Sequence, residues 1–357
     1  MPMPLPPLYG HEGIRNRLAG AIASGRLPQG LLFEGPQGVG KQRLALWLGQ
    51  ALLCERNDGG AKREGCGDCR PCRLVLTLSH PDLHWFVPVE LERRAAEADK
   101  QVELAEEALG EVLAARRERP LYERPSGMAS HGIASVRLLL RKLALTPVMG
   151  PRKVFVIGDA ERLVPQTGAE AAANALLKAL EEPPADTVLV LTTAEPDALL
   201  ATIRSRVVRV RVARLADSVV TAFAQRELGL ADEPSLSQRV TAAEGCIGRL
   251  LAEGGVGGTG GAERGEGAER FLHAVQDGPV ARLGFALSLQ PFQARGGFTA
   301  MLDELLVRLR SEARAGKDSG KVVSAIARVV DARELAQGNV NPQLVAAVLG
   351  EDLGSPR

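Results

Sequence analysis

The chain has 357 residues, of which 45% are apolar and only 3% aromatic, and its 44 Lys and Arg are matched by 43 Asp and Glu. That length predicts two or three domains with real cores. The balanced charge excludes a global electrostatic pull toward nucleic acid or membrane, and the scarcity of rings excludes base stacking as a main binding mode. No apolar run approaches the roughly 18–20 residues of a membrane helix, and Met1 to Pro7 lacks the basic-then-apolar order of a secretion signal, so a cytoplasmic chain without membrane partners is expected.

Leu31 to Phe33 predicts a short buried strand. It runs into Gly35-Pro36-Gln37-Gly38-Val39-Gly40-Lys41, whose small residues let backbone N–H groups turn inward around phosphate oxygens while Lys41 reaches the outer phosphates. The next residue is Gln42, where a nucleotide hydrolase places a Ser or Thr hydroxyl on magnesium. Hydrolysis therefore does not fit. Weak ATP binding and no binding both stay open. Leu44, Leu48 and Leu52 then mark one face of a helix.

Cys54, Cys66, Cys69 and Cys72 follow, with two tight Cys-x2-Cys turns. Four thiolates complete a closed tetrahedral zinc site at about 2.3 Å, which makes the predicted zinc structural rather than catalytic. In a reducing compartment such a cluster reads as metal rather than disulfide. Cys246 is isolated and reads as packing. His11, His80, His84, His131 and His273 read as ordinary loop or core residues.

Leu83 to Val87 predicts a second strand. Residues 89–130 are rich in Glu, Arg and Ala, with Val102, Ala105, Leu109 and Val112 at helical spacing. They predict a solvated helical insertion with a charged surface face. Val136, Leu139, Leu140 and Leu143 form the apolar face of the next helix. The strand Val154 to Ile157 leads through Gly158 to Asp159, the usual magnesium-side acid. Ala160 comes next, where a hydrolase has a Glu that aligns the attacking water. Glu161, one residue on, is expected to leave in another direction.

Thr167 to Glu170 fits a capping box. Ala173, Leu177 and Leu180 line the helix that follows, and Pro183-Pro184 stops it. Val188 to Leu191 is a fourth buried strand. In the fifth, Val208, Val210 and Val212 alternate with Arg209 and Arg211, as when one face is covered. Strands alternating with helices predict an α/β fold with a parallel five-stranded sheet flanked by helices. Strand signals vanish beyond Arg214. A small helical unit to 253, a Gly-rich linker over 254–267 and an all-α block over 268–357 complete the chain. That block carries Leu302, Leu305, Leu306 and Leu309 on one face. Its last helix opens with Asn341 as N-cap and Pro342 at the first helical position.

Ala171-Ala172-Ala173-Asn174-Ala175-Leu176-Leu177-Lys178-Ala179-Leu180-Glu181-Glu182-Pro183-Pro184 resembles the signature helix of bacterial clamp-loader subunits. Leu200 to Arg206 is similar to the segment that carries their Ser-Arg-Cys motif. The glycine loop, the four cysteines and Asn339 to Leu344 match in order, so the resemblance spans almost the whole chain. The family comprises the gamma and tau motor subunits and the delta-prime subunit of the DNA polymerase III holoenzyme. The departures at Gln42 and Ala160 set this chain with its non-hydrolysing member.

The resemblance implies an AAA+ domain over 1–213 with a zinc module at 54–72 and the insertion at 89–130, a helical lid over 214–253, and a collar over 268–357 that joins a five-subunit arc. It implies that Arg206 acts as an arginine finger on the ATP site of the adjacent motor subunit. The implied partners are gamma/tau, the delta subunit, the sliding clamp and primed DNA. Gly35, Gly38, Gly40, Lys41, Gln42 and Asp159 would form a degenerate nucleotide site. Thr192 or Thr193 would hold the phosphate-sensing position, and Arg249 the lid sensor, with an exposed helix arginine as the equal alternative. Neither ATPase nor polymerase activity is expected of this chain alone, although the holoenzyme is a DNA-directed DNA polymerase. The family's Cys is Val207 here, and the insertion is longer than the family's pattern. The competing reading is an ATP-hydrolysing gamma/tau-like motor in which Gln42 and Glu161 stand in for the missing groups.

Overall fold

Five short apolar runs pair side by side in the computed structural model, which describes residues 3–56, 64–91, 97–121, 129–164, 170–230, 235–253, 261–290, 297–314, 319–337 and 340–354. The chain forms two compact units, one of Met1–Pro125 with Ala129–Gly257 and the other of Gly258–Arg357. In the first unit α1 (Glu12–Ala23) leads to β1 (Gly30–Glu34), α2 (Lys41–Leu53), α3 (Arg70–Leu76), β2 (Leu83–Phe86), α4 (Ala98–Glu118) and α5 (Ile133–Leu143). Then come β3 (Lys153–Ile157), α6 (Ala171–Glu181), β4 (Thr187–Thr193), α7 (Ala201–Arg204) and β5 (Val208–Arg211). Three helices end the unit: α8 (Asp217–Glu227), α9 (Leu236–Ala243) and α10 (Ile247–Glu253).

The strands lie in the order β2-β3-β4-β1-β5, and every pairing is parallel. The register sets Phe33 beside Thr192 and Ile157 beside Leu191. The loops after β1, β3 and β4 therefore leave the sheet at one edge, the carboxyl edge where open α/β sheets bind ligands. Every residue of β3 and β4 is buried, as expected of parallel strands covered on both faces. This is the parallel five-stranded sheet flanked by helices, with the glycine loop after β1, that the sequence predicts.

Three local expectations change. Helix α2 is buried almost all round rather than along the Leu44 and Leu48 face alone, because α1, α3 and the sheet all pack against it. Strand β5 does not show the expected alternation. It is an edge strand pairing only with β1, and Val208 is 50% exposed while Val212 is buried. The insertion is more than a solvated face. Val102 and Leu109 of α4 enter the main core, Ala105 between them in the sequence is buried, and Lys142 on α5 pairs with Glu106 at 2.7 Å.

Helix α6 starts at Ala171 with Glu170 at its N-cap; the rest of the expected capping box lies outside the described residues. Helices α8, α9 and α10 share a small core of their own, built on Val220, Phe223, Val240 and Leu250. Tyr9 joins it, its ring edge-on to Phe223 at 5.3 Å and its hydroxyl donating to Glu227 at 2.6 Å.

The second unit holds α11 (Gly261–Gln276), α12 (Pro279–Ser288), α13 (Thr299–Arg314), α14 (Ser319–Gln337) and α15 (Pro342–Gly354) around Phe271, Leu302, Leu305, Val329 and Leu349. Helix α11 begins at Gly261, so the stretch expected as linker is helical from there on; residues 254–260 lie outside the described residues. Asn341 caps α15 as its sequence suggests, its Oδ1 accepting the Gln343 N–H at 2.9 Å. Asn339 lies outside the described residues. No described helix is long and apolar enough to cross a membrane.

His131 shows how the β3 end is held. It is buried, with Nε2 2.7 Å from the Gly158 carbonyl oxygen, and burial lowers its pKa to about 4. The unfolded chain takes up that proton near pH 6.5, the folded chain only near 4, so the stability tied to neutral His131 is complete above 6.5 and lost as pH falls through that window. We expect His131→Gln, which keeps a donor for Gly158, to lose about 2–3 kcal/mol less stability than the wild type between pH 7 and 4.5. Urea unfolding at the two pH values measures this. Parallel losses in both proteins would contradict the assignment.

Candidate functional site

The glycine loop joins β1 to α2 at the carboxyl edge of the sheet. Gly38 and Gly40 take left-handed φ values of 78° and 101°, which any side chain would resist. Lys41 is buried and donates from Nζ to the carbonyls of Gly35 and Pro36, each at 2.9 Å. Burial pulls the Lys41 pKa down, while Glu161 and Asp159 oppose that shift. His11 stands under the loop, Nε2 2.9 Å from the Val39 carbonyl.

Gln42 is not free to replace a hydroxyl. The indole N–H of Trp85 donates to its Oε1 at 3.1 Å. Its amide also lies so close to Gly158 that a Cβ there would stand 2.7 Å from it. Ala160 is fully buried and offers only a methyl group. Asp159, with a left-handed φ of 50°, turns the chain into a single 3-10 turn over Ala160–Leu163. That turn overrides the expected direction of Glu161. Its half-buried side chain lies at the end of β4, its Oε1 3.5 Å from the Ala194 N–H, and it interacts electrostatically with Lys41 and Asp159. Burial raises its pKa to about 7, and its Oε2 has no hydrogen-bond partner among the described residues.

Thr192 and Thr193 are both fully buried. Thr192 Oγ1 accepts the Asp159 N–H at 3.2 Å, and Thr193 Oγ1 accepts the Glu195 N–H at 3.0 Å. The start of α10 rests directly on the loop. The Gly248 N–H donates to the Gly38 carbonyl at 2.9 Å, and a Cβ on Gly248 would come within 2.6 Å of the Gly38 Cα. Beside it, Arg249 is paired with Glu244 at 2.5 Å, a carboxylate it shares with Arg214. Between the loop and helices α8 and α10 lies a cavity of about 120 Å³, lined by Lys41, Asp159, Trp85, Leu121, Phe223 and Leu251 among others. Pockets for ligands of drug size run to roughly 300–1,000 Å³.

The four cysteines converge. Cys54 follows α2, Cys69 caps α3 and Cys72 lies in its first turn; the four sulfurs are within 4.8 Å of one another. The Cys54–Cys69 and Cys66–Cys72 sulfur pairs are both 3.9 Å apart. A tetrahedron of sulfurs at the zinc–thiolate bond length has edges of about 3.8 Å, so the donor set fits such an ion. The Cys69 N–H donates to the Cys66 sulfur and brings that thiol down to about 6, while burial pushes Cys54 and Cys72 up.

Arg206 lies on the turn between α7 and β5, apart from the cavity's lining residues. Its Nε donates to Glu181 Oε1 at 2.7 Å, its Nη2 is 2.5 Å from the same oxygen, and its Nη1 donates to the Thr202 carbonyl at 2.8 Å. Sequence reasoning missed His11, Trp85 and Glu181. All three act through contacts between distant segments, which no local spacing reveals.

A family model described as DNA polymerase III, delta subunit, matches residues 10–216. The DNA polymerase III subunit delta' of Escherichia coli (strain K12) is 32% identical over 190 residues, covering 53% of this chain and 44% of that protein. The same-named subunit of Bacillus subtilis (strain 168) is 32% identical over 189 residues, covering 53% and 43%. The DNA polymerase III subunit gamma/tau of Mycobacterium tuberculosis (strain ATCC 25618 / H37Rv) is 29% identical over 200 residues, covering 56% and 27%. The chain thus spans less than half the length of these relatives. A crystal structure of a DNA polymerase III gamma-subunit-related protein from Thermotoga maritima superposes with a TM-score of 0.40 at 16% identity, covering 95% of this chain and 98% of that one.

Proposed function

The chain belongs to the family described as DNA polymerase III, delta subunit, and from that membership we propose that it is the delta-prime type of clamp-loader subunit: a non-hydrolysing AAA+ scaffold that lends Arg206 to an adjacent gamma/tau motor. Its partners in this reading are the motor subunits, the delta subunit, the sliding clamp and primed DNA, in the cytoplasm. The unit of residues 1–213 is the AAA+ domain with 214–253 as its lid, and residues 268–357 form the collar. The Cys54, Cys66, Cys69 and Cys72 cluster holds a structural zinc.

The observation that carries the reading is Gln42. Its amide oxygen is already engaged by Trp85, so the position that should offer a magnesium ligand is committed to packing. Ala160 supplies no base, and the lid backbone bonded to Gly38 leaves a cavity below the usual range for a nucleotide-sized ligand.

One observation favours a gamma/tau-like motor instead. Glu161 sits close enough to Lys41 and Asp159 for each to feel its charge, and its carboxyl is raised to about 7, the range of a general base. The two readings separate in one assay. We expect no saturable magnesium-ATP binding to the purified chain below about 1 mM, and turnover with clamp and primed DNA that stays at background and does not change on Lys41→Ala. Turnover above background that Lys41→Ala abolishes would establish the motor.

A further inference from the structure

We propose that Glu181 is a positioning residue for Arg206, a latch that holds the guanidinium against its own chain until the adjacent subunit's phosphates take its place. This rests on the finger role of Arg206 proposed above. One carboxylate oxygen of Glu181 receives both Nε, at 2.7 Å, and Nη2, at 2.5 Å. The remaining nitrogen, Nη1, donates to the Thr202 carbonyl at 2.8 Å and lies 3.3 Å from the Ser205 hydroxyl. Every nitrogen of the guanidinium is thus occupied within the chain.

A finger works by bringing net positive charge to a phosphoryl group as negative charge develops there. With a carboxylate at bonding distance that charge is largely cancelled. Arg206 can serve a neighbour only by exchanging Glu181 for phosphate oxygens. The two side chains are 32% and 47% exposed, so the pair is weak enough for that exchange to be reversible. Glu181 ends α6, while Arg206 lies just after the short α7; α6 and α7 pack together, so the latch is set by tertiary packing.

The test is the ATPase of the loader reconstituted from this full chain with gamma/tau and delta subunits of the same organism, clamp and primed DNA. Glu181→Gln keeps a hydrogen-bond acceptor but removes the anion. It is expected to raise kcat about two- to fivefold, with the KM for ATP unchanged. Glu181→Ala should act in the same direction. The gain must vanish in Glu181→Gln/Arg206→Ala, which a general effect on folding or assembly would not require. An unchanged or lowered kcat in both Glu181 variants, with Arg206→Ala still impaired, overturns the latch but keeps the finger. If Arg206→Ala itself has no effect, the finger reading falls and the latch with it.

Discussion

Arg206→Ala should leave this chain folded and assembled yet slow ATP turnover at the one motor site it serves by about 10³-fold, the lower end of what arginine fingers contribute. The fold should survive because the Glu181 pair is a partly exposed surface contact, and such pairs contribute at most about 1 kcal/mol. In a loader with several motor sites, the effect on total turnover is expected to be smaller than at the single site. Arg206→Lys is not expected to rescue, because an ammonium lacks the planar fork that meets two phosphate oxygens at once. Single-turnover hydrolysis in the reconstituted loader reads the step directly. Wild-type rates in Arg206→Ala at normal assembly would place the activating cation elsewhere.

Much of this picture is legible in the sequence, and the divide is physical. Signals carried by neighbouring residues survive reading one position at a time. The glycine loop, the four cysteines, the β3 and β4 runs and the Asn341–Pro342 cap all rest on local geometry, and each forms as its spacing suggests. What the sequence hides depends on which distant segments meet. Gln42 reads as a missing hydroxyl, yet Trp85, from the distant strand β2, shows that the residue has a packing role of its own. Glu161 reads as misdirected by one position until Asp159 adopts a left-handed conformation and brings its charge to bear on Lys41. Val208 fits an alternating strand, but nothing in its own segment says that β5 is the sheet's open edge. The contact of α10 with the glycine loop is hidden for the same reason. Gly38 and Gly248 look like unrelated small residues until their backbones touch.

Removing one thiolate should have the second large effect. We expect about one zinc per purified chain, none in Cys69→Ser, and a melting temperature about 5–10 °C lower for the variant's first unit. Cys69 is buried at the start of α3, and its N–H and sulfur both face the cluster. A serine there keeps the volume but offers zinc a far poorer ligand, and the three remaining thiols cannot close the tetrahedron. The loss should spread. Arg15 on α1 pairs with Glu64 from the segment before Cys66, at 2.7 Å, and also lies 5.4 Å over the Trp47 ring of α2. Without metal the four sulfurs no longer tie the 64–72 stretch to the end of α2, so protection from hydrogen exchange should fall at both. Cys246→Ser, buried in the core away from the cluster, should keep its zinc. Metal analysis that finds no zinc in the wild type, or an unchanged content in Cys69→Ser, would mean that the four sulfurs are brought together by packing and not by an ion.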